Sequence, residues 1–191
     1  MKFLDCFCGM GGVSEGFASE GFDVTGIDIV DAPKMLGYKY HFIQANMLTL
    51  RGGDFRGFDV IWGSPPCRDF TILNDARWKI KKNPQHGLEL VDCFIKFVAE
   101  ANPKLWIMEN VVGLEKYVPV KPTIHKSPIG KYMKRSFWGN FPTFLMPTDL
   151  GKFKMRESCG WDKLAHWERA RIPFPCSQAF AKACKEELEK T

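Results

Sequence analysis

Lys2-Phe3-Leu4-Asp5-Cys6-Phe7 followed by Cys8-Gly9-Met10-Gly11-Gly12 is the stretch whose reading decides the fold. A short apolar run that ends in a glycine cluster reads as a strand entering a tight turn. Val13 to Ser19 reads as the helix that follows. Working outward, Phe22 to Asp28 is a second strand and His41 to Ile43 a weaker third. Phe58 to Trp62 is a buried strand that stops at Gly63-Ser64-Pro65-Pro66. Pro84 to Ala101 predicts a long helix, with Leu88, Val91, Phe94, Ile95 and Val98 at helical spacing, and Leu105 to Glu109 the next strand. Strand and helix signals alternating in this way predict a mainly parallel, doubly wound α/β sheet. After Val112 the pattern changes to Pro, Gly, Lys and aromatics. Arg135 to Trp138 and Thr143 to Leu145 are expected to form a hairpin around Gly139-Asn140, giving the sheet a mixed edge. A last helix is expected from near Pro175 to Leu188.

The chain has 191 residues, room for one sizeable core and little more. Hydrophobic content of 45% and charged content of 26% are those of an ordinary globular protein and exclude a disordered or fibrous chain. No apolar run is long enough to span a bilayer, and the N-terminal one is too short for a signal peptide. The expected setting is therefore the cytoplasm. Seven cysteines, an odd count with no Cys-x-x-Cys pair, argue against a disulfide framework or a zinc site, and no metal is expected. Most are read as small buried apolar side chains. The net charge of +5 is unevenly spread. Lys121 to Arg156 holds eight Lys or Arg against one acid, Asp149; Arg68 to His86 holds five against two. Both runs flank the candidate site and suit a polyanionic partner, although a solvated face would look the same.

Three motifs carry chemistry. The glycine turn lets a ligand approach the backbone at the start of a helix, and Asp28, sixteen residues beyond Gly12, can accept both hydroxyls of a ribose. A turn that merely needs glycine is the plain alternative. Gly63-Ser64-Pro65-Pro66-Cys67 puts a thiol at the carboxyl end of a strand, on a loop stiffened by two prolines, with Arg68 beside it to favour the thiolate. Its plain alternative is a buried turn cysteine. Glu109-Asn110-Val111 ends another strand with a carboxyl able to exchange a proton with a ring nitrogen; a capping or turn pair is the alternative.

In this order the three motifs resemble the cytosine-5 DNA methyltransferase family over roughly the first 115 residues, and the compact form resembles the small members found in bacteriophage genomes. The resemblance implies a Rossmann-like S-adenosylmethionine-dependent methyltransferase fold and duplex DNA as partner. It implies that Cys67 attacks carbon 6 of a flipped cytosine, that Glu109 holds ring nitrogen 3 and the amino group, that Asn110 orients the glutamate loop, and that Arg135 contacts the base oxygen or a phosphate. It assigns the S-adenosyl-L-methionine pocket to Asp5, Phe7, Cys8, Gly9, Gly11, Gly12, Asp28, Ile29, Asn46, Met47 and Pro65, with Phe7 against the adenine and Asn46 where the family usually has an acid. Pro173 and Gln178 would add a wall from the closing helix. Arg68, Arg77, Lys79, Lys81 and Lys82, with Lys134, Lys152, Lys154 and Arg156, would grip phosphates.

The chain departs from the family in size. A separate target-recognition domain normally precedes the closing helix; here only Pro147 to His166 occupy that place. The expected organisation is a catalytic domain of 1–146 and 167–191 around a minimal recognition insert of 147–166, which suits a short target or help from a partner protein to an otherwise monomeric enzyme. The same motifs would serve an RNA cytosine-5 methyltransferase. A non-catalytic module that binds DNA or an active partner is a third reading, against which stand the retained Cys67, Glu109 and glycine turn.

Overall fold

The computed structural model describes residues 1–71, 83–129, 134–147, 167 and 170–190, leaving aside the side chains of Lys126 and Pro128. Its centre is a seven-stranded sheet built from β1 (Lys2–Cys6), β2 (Asp23–Asp28), β3 (His41–Gln44), β4 (Val60–Gly63), β5 (Leu105–Val111), β6 (Ile124–Pro128) and β7 (Lys134–Asn140). The order is β3-β2-β1-β4-β5-β7-β6. The first five strands are parallel; β7 runs antiparallel to both β5 and β6. Chain direction along the sheet reverses between β1 and β4, the place where an open α/β sheet leaves a crevice at its carboxyl edge.

Side chains alternate across the pleat and feed two cores. Phe3, Trp62, Ile107 and Phe137 point to one face, where they meet Phe17 of α1 (Gly12–Ser19) and Phe180 of α4 (Phe174–Leu188). Their neighbours Leu4, Ile61, Met108 and Trp138 point to the other, against Val91, Phe94, Phe97 and Val98 of α3 (Pro84–Ala101). A short α2 (Ala32–Leu36) follows β2. The closing helix α4 lies on α1 so closely that a Cβ at Gly16 would sit 2.4 Å from the Ser177 backbone. Arg171 pairs with Glu15, and Gln178 Nε2 donates to Glu20 Oε1 at 2.8 Å, fastening the C-terminal segment to the N-terminal one.

α3 begins with Pro84 at its first position and stops at Asn102, which takes the left-handed conformation (φ 51°) before Pro103. Its buried face differs by one residue from the expected stripe: Phe97 is inside and Ile95 is exposed. The mixed edge is present, but its hairpin is not the expected one. β7 is a single strand from Lys134 to Asn140, and Thr143 to Leu145 form no strand. The partner on the far side is upstream, Ile124–Pro128, whose polar residues and bulge between Ile124 and Ser127 disguise it as loop. Gly139 at the predicted turn lies inside β7 instead, with a φ of +145° that favours glycine and no room for a side chain, since a Cβ there would lie 2.0 Å from the Trp106 carbonyl.

Candidate active site

The loops after β1, β2, β4 and β5 meet at the carboxyl edge of the sheet. The turn after β1 is held by Cys8 N–H to Ile27 O (3.0 Å) and Gly11 N–H to Cys8 O (2.8 Å). Gly9 and Gly11 have φ of +50° and +74°, which side chains rarely tolerate, and Phe7 adopts a φ of 62° with no such excuse. Strained backbone of this kind persists where the surrounding structure enforces it. Gly11 caps α1 without a side-chain bond. The cap comes from β1: Asp5 Oδ2 accepts the Ser14 hydroxyl at 2.6 Å and the Ser14 backbone N–H also bonds this carboxyl. The Ser14 hydroxyl is shared with Tyr38 Oη at 2.9 Å. Asp5 is buried, and that burial, opposed by Ser14 and reinforced by Asp28, pushes its carboxyl up to about 7.

Asp28 ends β2 facing the same turn. Its Oδ2 accepts Gly9 N–H at 2.9 Å and its Oδ1 accepts Val30 N–H at 3.2 Å. Burial raises this carboxyl, while the N–H groups of Gly9, Val30 and Ile29 hold it down. A carboxylate accepts up to about four hydrogen bonds, so these N–H groups leave it acceptor capacity for a further donor such as a ribose hydroxyl. Ile29 beside it is largely exposed and Phe7 half-buried, which leaves two apolar surfaces above the crevice. Asn46 caps the 3₁₀ turn Met47–Thr49, its Oδ1 accepting Leu48 N–H at 3.0 Å. Met47 is buried in the core under α3 with Cys93, so its side chain does not line the crevice. Cys8 and Gly12 are buried in the turn, and a Cβ on Gly12 would strike Arg171 and Ile172.

Cys67 sits at the tip of the loop after β4, partly exposed. The loop is tied down at successive residues. Ser64 N–H donates to Cys6 O at 3.2 Å, the Trp62 indole N–H donates to Ser64 Oγ at 2.8 Å, and Asn110 Nδ2 donates to the buried Pro65 carbonyl at 2.9 Å. The cation near the thiol is not the expected one. Arg68 is exposed; Arg135 lowers the Cys67 thiol, against burial, the larger effect, and Glu109, both of which raise it.

Register explains Arg135. β7 pairs Arg135 with Val111 and Phe137 with Glu109, so Arg135 and Glu109 are diagonal neighbours on one face. Arg135 Nε lies 2.6 Å from Glu109 Oε1, close enough for an ion pair, yet this buried oxygen receives no well-aligned hydrogen bond. It is the one buried side-chain polar atom among the described residues in that condition. Burial raises the Glu109 carboxyl, and the Arg135 charge is the largest influence opposing that. The result is a buried carboxyl paired with a guanidinium, next to a thiol.

The structure thus brings together Asp5, Phe7, Gly9, Gly11 and Asp28 in one half of the crevice and Cys67, Glu109, Asn110 and Arg135 in the other. Arg68 and Lys134 are exposed at its rim. Arg77, Lys79, Lys81, Lys82, Lys152, Lys154 and Arg156 lie outside the described residues, as does nearly all of the 147–166 insert. On the closing segment Pro173 is buried and Gln178 is bonded to Glu20, facing α1 and not the crevice. Tyr38 and Trp167 escaped the sequence reading. Tyr38 covers the glycine turn, 3.0 Å from where a Gly11 Cβ would be, and Trp167 packs at 3.2 Å from the corresponding point on Gly9. Neither lies in a motif. Ser14 left a signal, as a polar residue on the buried face of α1.

Among the described residues no helix is long and apolar enough to cross a membrane, and no group of three His, Cys, Asp or Glu is placed to hold a metal ion. A parallel sheet in this order with one antiparallel strand inserted at the edge is the Rossmann-like fold of the S-adenosylmethionine-dependent methyltransferases. Residues 1–119 match the C-5 cytosine-specific DNA methylase family, and the chain belongs to it. It is 32% identical to the type II methyltransferase M.AgeI of Thalassovita gelatinovora over 60% of its own length and 28% of that protein. It is 25% identical to a probable DNA (cytosine-5)-methyltransferase of frog virus 3, over 88% of this chain and 80% of that one. The structure of S. pombe Dnmt2 methyltransferase superposes with a TM-score of 0.51 at 16% identity, covering 80% of this chain and 53% of the other, a likeness of fold. The chain spans about 28% of the length of the first curated relatives it matches.

Proposed function

We propose that the protein transfers a methyl group from S-adenosyl-L-methionine to carbon 5 of cytosine in duplex DNA, through a covalent Cys67 adduct on a flipped base. The observation that carries this reading is the meeting of a loop thiol and a buried carboxyl paired with an arginine at one carboxyl edge, beside a second carboxylate fit for a ribose. Asp28 would hold the ribose hydroxyls, Phe7 and Ile29 would flank the adenine, and the N–H groups of the glycine turn would face the methionine portion. The bound cofactor supplies a methyl group on a positively charged sulfur that leaves as a neutral thioether.

The Cys67 thiol, with Arg135 favouring its ionised form, first gives its proton to water; the thiolate then adds to carbon 6 as Glu109 gives its proton to ring nitrogen 3, so the ring never carries a full negative charge. Carbon 5, now enamine-like, takes the methyl group. Loss of the carbon 5 proton to water, expulsion of Cys67 and return of the nitrogen 3 proton to Glu109 restore the aromatic ring and the resting enzyme. Arg135 compensates Glu109 when it is ionised. A cytosine within the stack cannot offer carbon 6 to a thiol, hence the flipped base. Arg68, Lys134 and the basic loops supply phosphate contacts.

The test is transfer of a labelled methyl group to unmethylated duplex DNA, with tRNA in parallel and Cys67→Ala as control. Label recovered as 5-methylcytosine in DNA and absent with the control is the expected result. Label on tRNA alone moves the substrate to RNA. No transfer to either, with S-adenosylmethionine still bound, refutes the activity.

A further inference from the structure

Tyr38 lies outside every motif, yet it is built into the glycine turn. α2 stops at Gly37, which takes the left-handed conformation (φ 71°), and the Tyr38 N–H returns to Ala32 O at 3.2 Å. Two glycines make room for the side chain that follows. The ring lies 3.0 Å from where a Cβ of Gly11 would be, and a Cβ on Gly26, inside β2, would strike the hydroxyl. Tyr40 and Phe42 hold the ring as well, with centroids at 5.5 and 5.7 Å.

A ring alone would fill this buried place, and a buried hydroxyl is costly without a partner. Tyr38 Oη lies 2.9 Å from Ser14 Oγ, and Ser14 Oγ donates to Asp5 Oδ2 at 2.6 Å. Ser14 has one hydroxyl proton and gives it to Asp5, so Tyr38 is the donor to Ser14. Burial and, after it, the Asp5 charge hold the phenol above its usual range, so it keeps the proton it donates. The bonds join the end of β1, the first turn of α1 and the loop after α2, and the glycine turn runs between the first two. Phe7, Gly9 and Gly11 are all left-handed there, and Gly11 caps α1 with no side-chain bond. Asp28 holds this turn at Gly9, by the N–H at 2.9 Å; at Gly11 the holder is Tyr38.

We infer that Tyr38 is a positioning residue for the cofactor: its ring on Gly11 and its hydroxyl on Ser14 keep the glycine turn in the shape that receives the methionine portion. The inference rests on the function proposed above, in which that turn faces the cofactor. S-adenosyl-L-methionine and its demethylated product, S-adenosyl-L-homocysteine, share the groups that face the turn, so Tyr38 serves both alike.

The experiment measures binding of both compounds by calorimetry, without DNA. Tyr38→Phe keeps the ring and removes only the hydroxyl. It should raise the Kd of each compound about fivefold, the size of one hydrogen bond. In methyl transfer the KM for S-adenosylmethionine should rise with it while kcat is unchanged, a split that a general loss of folded protein would not give. Because Tyr38 acts through Ser14, the double variant with Ser14→Ala should bind no more weakly than Ser14→Ala alone. Three results overturn the inference: a Tyr38→Phe Kd equal to that of the unmodified protein, a loss that simply adds to that of Ser14→Ala, or a loss confined to S-adenosylmethionine, which would tie the hydroxyl to the sulfonium charge and not to the turn. If Tyr38→Phe does not fold, Ser14→Ala alone decides: a weaker Kd for both compounds supports the inference and an unchanged one overturns it. A protein that binds the cofactor but methylates no nucleic acid refutes the proposed function and leaves Tyr38 separately measured.

Discussion

Replacing Asp5 with asparagine should make the ligand-free protein more stable, by an amount that grows as pH rises from about 4 to about 7 and then levels off. Asp5 is buried at the end of β1, under the glycine turn, where its carboxyl is pushed from 3.8 up to about 7, first by burial and less by the nearby Asp28 charge, with Ser14 opposing. Between pH 4 and 7 the folded chain holds a proton that the unfolded chain has released. Stability from this group is thus complete below the unfolded value, falls as pH rises through that window and is flat above it. Three pH units correspond to about 4 kcal/mol. Relaxation on ionisation makes ~2 kcal/mol a sober expectation. Asparagine has nearly the same shape, stays neutral and still offers an oxygen to the Ser14 hydroxyl. Urea unfolding at pH 4, 5, 6, 7 and 8.5 should show the two proteins nearly equal at pH 4, the variant pulling ahead between pH 4 and 7, and a lead of ~2 kcal/mol at pH 8.5. A variant destabilised by the same amount at every pH would refute the reasoning, because it would mean that Asp5 acts by its hydrogen bonds alone. A cationic ligand seated over the turn would offset the cost of the charge, which explains why an acid is tolerated there.

Other perturbations test other parts of the structure. Gly16→Ala places a Cβ 2.4 Å from the Ser177 backbone and must pry α4 off α1; a loss of about 2 kcal/mol or more is expected in urea unfolding. Arg135→Met leaves Glu109 buried without its counter-charge, which should raise the carboxyl further and cost about 3 kcal/mol at pH 8; because a raised carboxyl favours the protonated native state, the cost should shrink as pH falls, and a pH-independent loss would contradict it. Asn110→Ala frees the Pro65 carbonyl and should lower kcat about tenfold or more, with S-adenosylmethionine affinity, measured by calorimetry, unchanged.

The local signals in the sequence were sufficient for much of this. The β1 turn, the strands at 23–28, 60–63 and 105–111 and the helix at 84–101 are legible because apolar periodicity and Gly or Pro punctuation are properties of neighbouring residues. Where packing decides, the reading slipped by a residue, as when Phe97 took the inward place assigned to Ile95. The motif residues could be named from their types and from their positions at strand ends.

What tertiary structure alone decided are contacts between residues far apart in sequence. The antiparallel register of β7 on β5 made Arg135, an ordinary basic residue opening a strand, the partner of Glu109 and the cation that reaches Cys67. The β6 strand is invisible in a polar segment because its order comes from pairing with β7, not from an apolar face. Tyr38 reaches Ser14, and through it Asp5, across a fold of the chain that no spacing rule encodes. Sequence fixes which groups can donate, accept or ionise; register and burial fix which of them meet, and so which pKa values move.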